Sequence, residues 1–271
     1  MAERLFLISV IILTLVVSPG IITASDDYSQ SWRELNQTSD KILQYVREGH
    51  YEEAHQLLDV FSDEFMTLQA SGHNNLSMRD LNVITSVYED VEGATVQASL
   101  SHNERVNAAT KLRLLVDVYE TSHQPLWLKT KNPVFDSLQT VKVAASTGEG
   151  NVQKKLNRFL SRYEVVRPAW SVSLQSEKYT QLESQIQFLN HLRERGASSE
   201  EFIDHLNAIE LQLSTIFEEK EDEVSDPQLI WVMITIGGAI IAVLSYAGWK
   251  KYKGEREKEL ERKKMRRGQN R

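Results

Sequence analysis

Apolar residues step by three and four along much of the middle of the chain. Tyr51, Ala54, Leu58, Phe61, Phe65 and Leu68 form one such series, and Leu81, Ile84, Tyr88, Val91, Thr95 and Ala98 a second. Phe202, Leu206, Ile209, Leu213 and Ile216 form a third. Shorter runs follow the same spacing: Ala109, Leu112, Val116, Tyr119; Leu156, Phe159, Tyr163, Val166; and Tyr179, Leu182, Ile186, Leu189. This spacing lines one face of a helix with apolar side chains. No sustained period-two alternation argues for a sheet. The pattern therefore predicts an all-α antiparallel bundle, or a short array of helical hairpins, of seven or eight helices with short loops.

Helix boundaries carry their own chemistry. Ser101 with Glu104 and Ser198 with Glu201 match the capping box, in which a hydroxyl and an acidic side chain reciprocally satisfy the first free N–H groups. Ser77 with Asp80 is the same arrangement with a shorter acid. Asn132-Pro133 predicts a cap followed by proline at the first helical position. Gly49, Gly148 and Gly196 follow periodic segments, where helices commonly end.

Two stretches depart from this regularity. Residues 122–131 contain Pro125-Leu126-Trp127, and residues 164–174 contain Pro168-Ala169-Trp170. Each is expected between helices. Either the tryptophans plug the ends of the bundle, as large aromatics usually do, or Pro125, Leu126, Trp127, Pro168 and Trp170 form a surface for a protein partner.

Two long apolar runs set the topology. Residues 5–17, after Arg4 and before Pro19-Gly20, are too short to cross a bilayer core that needs about 20 helical residues. With the small Ala24 before an acidic segment, they predict a secretory signal peptide over 1–24. Residues 229–249 are 21 positions without a charged side chain, and Trp231, Tyr246 and Trp249 lie near the ends. That length and those interfacial aromatics predict a transmembrane helix. Within it Gly238 and Ala242 offer a small-xxx-small pair through which two copies could pack as a homodimer.

Charge orients the span. Residues 25–228 hold 19 basic and 33 acidic side chains, net −14, whereas residues 250–271 hold 11 basic and 4 acidic, net +7. Basic residues gather on the cytoplasmic flank of spanning helices. The expectation is a single-pass cell-membrane protein with domain 25–228 extracytoplasmic and tail 250–271 cytoplasmic. Lys250, Lys251, Lys253, Lys263, Lys264, Arg266 and Arg267 then face the anionic lipid of the inner leaflet, each worth about 1 kcal/mol near the surface. That accounts for the tail without nucleic acid.

The chemistry of catalysis is thin. There is no cysteine, which removes disulfides, thiol nucleophiles and cysteine-ligated metal. No His/Asp/Glu spacing suits a metal site, and no glycine-rich phosphate loop or G-x-S-x-G elbow occurs. No catalytic, cofactor-binding or metal residue is expected, and the chain reads as non-enzymatic. Paired acids such as Asp63-Glu64 keep a cell-wall hydrolase as a remote alternative.

Gly49-His50-Tyr51-Glu52-Glu53-Ala54 is similar to the turn of a tetratricopeptide repeat, but no second copy follows, so an ordinary helical hairpin is the simpler reading. A broader resemblance rests on three blocks. They are Tyr51 through Ala54; Lys111-Leu112-Arg113 through Asp117 with Pro125-Leu126-Trp127; and Asp226-Pro227, Leu229, Trp231-Val232, Ile234-Thr235, Tyr246, Gly248 and Lys251-Tyr252-Lys253. Together they resemble the sporulation protein YpjB family of endospore-forming bacilli. The resemblance implies a membrane protein linked to spore formation and carries no catalytic or ligand residues. Two functional expectations follow: a helical ectodomain that binds a protein partner, or an extracytoplasmic sensor or ligand-binding module.

Overall fold

The computed structural model describes residues 25–71, 76–121, 123–148, 150–196 and 198–224, and shorter stretches at 234–238, 240–241, 243–247, 249–252 and 254. All regular structure among them is helical. The chain divides into two compact units, Met1–Glu218 and Glu219–Arg271. The first holds α1 (Ser25–Glu48), α2 (Tyr51–Ala70), α3 (Met78–Val96) and α4 (His102–Glu120). A 3-10 helix (Leu126–Thr130) leads into α5 (Lys131–Thr147), α6 (Val152–Ser173), α7 (Ser176–Glu194) and α8, whose helix runs Ser199–Val224.

The stripes read from the sequence are the buried faces. Ala54, Leu58, Phe61, Phe65 and Leu68 of α2 are buried, as are Ile84, Val91 and Thr95 of the α3 series; Leu81 and Tyr88 are only partly buried, and Val87 and Ala94, outside the series, are buried with them. The α3 stripe stops at Thr95, because the helix ends at Val96 and Ala98 lies exposed beyond it. Apolar spacing alone does not mark α1. Its buried face interleaves Trp32, Leu35, Ile42 and Val46 with Asn36, Thr38 and Ser39, so polar residues interrupt the stripe.

Burial separates into two clusters. The first packs α1, α2 and α3 against Ala108, Ala109, Leu112, Leu115 and Val116 of α4. The second gathers Leu114 of α4, Trp127, and the inner faces of α5, α6, α7 and α8. One helix, α4, thus supplies the wall of both cores from different faces of the same cylinder. The first unit therefore has two cores inside one compact body.

The capping chemistry is largely as expected. Ser77 with Asp80 and Ser101 with Glu104 form complete boxes, and Ser198 accepts from the Glu201 N–H at 3.3 Å. Gly49, Gly148 and Gly196 follow helices at φ +84°, +69° and +65°, left-handed geometry in which a Cβ is strained.

Two boundaries differ. Helix α5 begins at Lys131, after Thr130, rather than at an Asn132 cap. The 3-10 helix already turns the backbone, and Pro133 sits in the first turn, where its missing N–H costs nothing. Residues 164–174 do not separate two helices: α6 continues to Ser173 with Pro168 inside it. Burial of Val166, Ala169 and Trp170 carries the helix past the proline. Beyond it Ser171 and Ser173 hydroxyls donate to the carbonyls of Pro168 and Ala169, both at 2.7 Å.

The signal expected over 1–24 lies outside the described residues, as do 229–233, 239, 242 and 248 of the expected span. Among the described residues no helix is long and apolar enough to cross a membrane. Ala242, Lys253, Lys263, Lys264, Arg266 and Arg267 are likewise outside the described residues. Gly238, Lys250 and Lys251 are helical and exposed, and a Cβ added at Gly238 would meet nothing within 4 Å.

Candidate functional site

Trp127 and Trp170 meet in the second core. Both are 0% exposed, with ring centroids 6.0 Å apart at 88°. Phe217 lies 5.4 Å from Trp127 and 5.8 Å from Trp170. These are edge-on packings that favour the positive ring edge against the negative face, each worth about 0.5–1.5 kcal/mol beyond burial. Pro125 is also buried, while Leu126 and Pro168 remain partly exposed. Of the five residues expected to meet a partner, the two rings are enclosed by the protein itself.

The segment holding Trp127 is fixed by a polar latch between α1 and α4. Arg113 reaches Asp40 at 3.0 Å, Asp117 at 3.3 Å and the side-chain oxygen of Asn36. The Asn36 amide donates to Glu120, which Arg33 approaches at 3.5 Å. Asp117, only 6% exposed in its side chain, also accepts from the Thr121 hydroxyl at 2.6 Å and from the Leu126 N–H. A carboxylate at the C-terminal end of α4 thus caps the N-terminus of the 3-10 helix that carries Trp127. Anions are favoured at that end of a helix because its N–H groups are unpaired. Arg113, Asp117 and Pro125-Leu126-Trp127, one block in the sequence, are one structural device.

Beside the latch, α1, α4, the 3-10 helix, α5 and α6 enclose an open groove of about 720 Å³. Leu43, Val106, Leu114, Leu126, Val165 and Val166 contribute apolar surface to it. Arg47, Arg113, Lys129, Arg158 and Arg162 also line it, and no Asp or Glu is among the described residues that do. Arg113 is engaged by the latch. Among the described residues Arg47, Lys129, Arg158 and Arg162 form no ion pair.

A second cleft, of about 400 Å³, shows how cations elsewhere in the unit are treated. There Lys111 faces Asp90 at 3.6 Å, Arg167 faces Glu164 at 3.2 Å, and Arg79 lies over the Tyr179 ring at 5.4 Å. Nearby, the buried Tyr163 hydroxyl donates to Glu183; burial first, and that carboxylate second, push its pKa far up. Among the described residues no group of three His, Asp or Glu side chains is placed to hold a metal ion.

The groove was not legible from the apolar spacing. A usable signal existed in 154–162, where Lys154, Lys155, Arg158 and Arg162 occur with no acid in an otherwise acidic region. Helical spacing puts Arg158 and Arg162 one turn apart on one face.

The family Sporulation protein YpjB (SpoYpjB) matches residues 32–262, from α1 through the segment after the apolar run. The chain belongs to the sporulation protein YpjB family. A relative in Bacillus subtilis (strain 168), the uncharacterized protein YpjB, is 27% identical over 230 residues, covering 84% of this chain and 87% of the relative. No solved structure matches. The match to the YpjB family includes both cores, the latch and every cation of the groove.

Proposed function

We propose that this member of the YpjB family is a non-enzymatic single-pass membrane protein of spore formation, whose helical unit lies outside the membrane and acts by binding. The observation that carries the reading is the groove: four cations without ionic partners among the described residues, beside apolar surface, in a region of net charge −14. Uncompensated charge facing one concavity is a recognition feature rather than a stabilising one. The uncharged run 229–249 and the +7 tail support the tether and its orientation, with the tail on the anionic inner leaflet. Gly238 and Ala242 would let two spans pack as a homodimer.

A protein partner is the first form of this reading, with the exposed groove rim and not the enclosed tryptophans as its contact. A ligand-binding module is the second, favoured by the groove's volume, which falls in the range of about 300–1,000 Å³ typical of small-molecule clefts. The test is photocrosslinking in sporulating cells from probes at Thr110 and Ser161, which line the groove, and at the exposed Asp59, which does not. Adducts confined to the groove probes support binding there, and their masses separate protein from small ligand. Equal adducts from Asp59, or none from the groove, would remove the proposal. Protease added outside intact cells should degrade the helical unit and spare the tail; the reverse would overturn the topology.

A further inference from the structure

The reading of the groove as a binding site is the basis on which its ligand can be named by chemistry. Arg158 and Arg162 sit four residues apart on α6, where two like charges repel each other along a helix. Arg47 and Lys129 have a local reason to be where they are, since each lies in the last turn of its helix and complements the negative end of the dipole. Arg158 and Arg162 have none: they lie inside a helix of 22 residues and, among the described residues, neither forms an ion pair. An anion between the four would relieve the repulsion. Guanidinium groups match phosphate oxygens with paired N–H donors, and such charge-assisted bonds are the strong ones.

A bare anion leaves half of the groove unused. Leu43, Val106 and Leu114 are aliphatic surface, as are Val165 and Val166 on the same helix as the two arginines. Methylenes buried on such surface add hydrophobic free energy to the ionic contact. We propose that the groove binds one anionic phospholipid, with the phosphate among Arg158, Arg162, Arg47 and Lys129 and the first methylenes of its chains on the aliphatic surface. The acidic character of the rest of the unit repels an anionic bilayer as a whole. The groove therefore recognises a single lipid molecule rather than serving as a flat membrane-adhesive face.

The absence of cysteine allows a site-specific reporter in the full-length chain. Thr110→Cys, carrying an environment-sensitive fluorophore, reports on the groove, and Asp59→Cys reports on a surface away from its lining. The chain is held in nanodiscs of phosphatidylcholine and titrated with dihexanoyl phosphatidylglycerol, dihexanoyl phosphatidylcholine or inorganic phosphate. The expected result is a saturable response at Thr110→Cys to the phosphatidylglycerol alone, at least tenfold weaker in Arg158→Gln/Arg162→Gln. Lys154→Gln/Lys155→Gln removes the same charge from α6 outside the groove lining and should leave the response unchanged.

Equal response to phosphatidylcholine would discard the charge recognition, and equal response to inorganic phosphate would discard the apolar half. An equal loss in the lysine variant, or the same response at Asp59→Cys, would reduce the effect to general electrostatics and overturn the site. No response to any of the three, with protein adducts from the groove in cells, would sink the lipid inference while leaving the binding proposal standing. No response and no adducts would remove both.

Discussion

The core between α1 and α4 and the core between the 3-10 helix and α8 use the same helical stripes but close them differently. The first carries most of the unit's buried polar side chains: Asn36, Thr38, Ser39, Thr95 and Arg105. They are hydrogen-bonded. Ser39 donates to the Asn36 carbonyl at 2.8 Å, Thr38 to Glu64 at 3.2 Å, and Arg105 to the carbonyls of Ala94 at 2.7 Å, Thr95 at 3.0 Å and Leu100 at 3.3 Å. The second is mostly apolar and turns on Trp127, Trp170 and Phe217. Their ring contacts fix its geometry, and the two indole N–H groups find no partner among the described residues. Hydrogen bonds choose the register of the first core. Ring shape chooses that of the second.

The largest expected effect breaks the second core. Trp170→Ala removes a fully buried ring and should cost about 3–5 kcal/mol. Urea unfolding measures the loss, and amide exchange locates it. If the cores are separable, α5 to α8 lose protection while α2 and α3 keep theirs. An equal fall in α2 and α3 would make the two cores one cooperative unit.

The corresponding break in the first core is Arg105→Ala, expected to cost about 3 kcal/mol. The change leaves the last carbonyls of α3 without their charged donor, and hydrogen bonds to charged groups are worth about 1.5–3 kcal/mol. It also removes a cation lying 4.3 Å over the Tyr51 ring. Arg105→Lys should recover little, because a point ammonium cannot serve the four carbonyls of Ala94, Thr95, Gln97 and Leu100 that the guanidinium reaches. Full recovery by lysine in the same unfolding curves would show that charge alone matters there.

Next comes the hinge of the comparison. Asp117→Ala removes the carboxylate that ties α4 to the 3-10 helix, at about 2 kcal/mol, since Arg113 keeps Asp40 as a partner. The informative readout is the shape of the transition. Two resolved phases would mean that the latch couples the cores; a single shifted phase would assign that coupling to the shared packing of α4.

How much of this the sequence disclosed follows from the same contrast. Stripes in α2, α3, α6 and α8 were legible because their faces are almost purely apolar. The face of α1 was not, since Asn36 and Thr38 are buried with partners elsewhere in the chain, Glu120 and Arg113 for the first and Glu64 for the second, while the Ser39 hydroxyl is satisfied by the Asn36 carbonyl of its own helix. The break expected around Pro168 reflected a local preference that burial of Ala169 and Trp170 overrides. The groove was hidden for a different reason. Its unpaired cations come from three elements, α1, the 3-10 helix and α6, and their lack of ionic partners among the described residues is a property of the assembled unit, not of any window of sequence.

The smallest effect sharpens the comparison at the start of α4, the helix both cores share. The Ser101 hydroxyl accepts from the Glu104 N–H, and Glu104 accepts from the Ser101 N–H at 2.8 Å. Ser101→Ala should cost about 1 kcal/mol, the usual value of an N-cap. The Ser101 side chain first, and its backbone N–H second, lower the Glu104 pKa from its ordinary range. A carboxyl with a depressed folded pKa adds stability that is fully present above its unfolded value and is lost as pH falls through the folded one. Ser101→Ala should therefore flatten the fall in stability on the acid side of the ordinary carboxylate range, and the gap between variant and parent should narrow as pH drops. Because α4 walls both cores, the loss at neutral pH should appear in the exchange of both. A loss confined to α1–α3 would mean that the second core holds α4 through Leu114 without help from the cap.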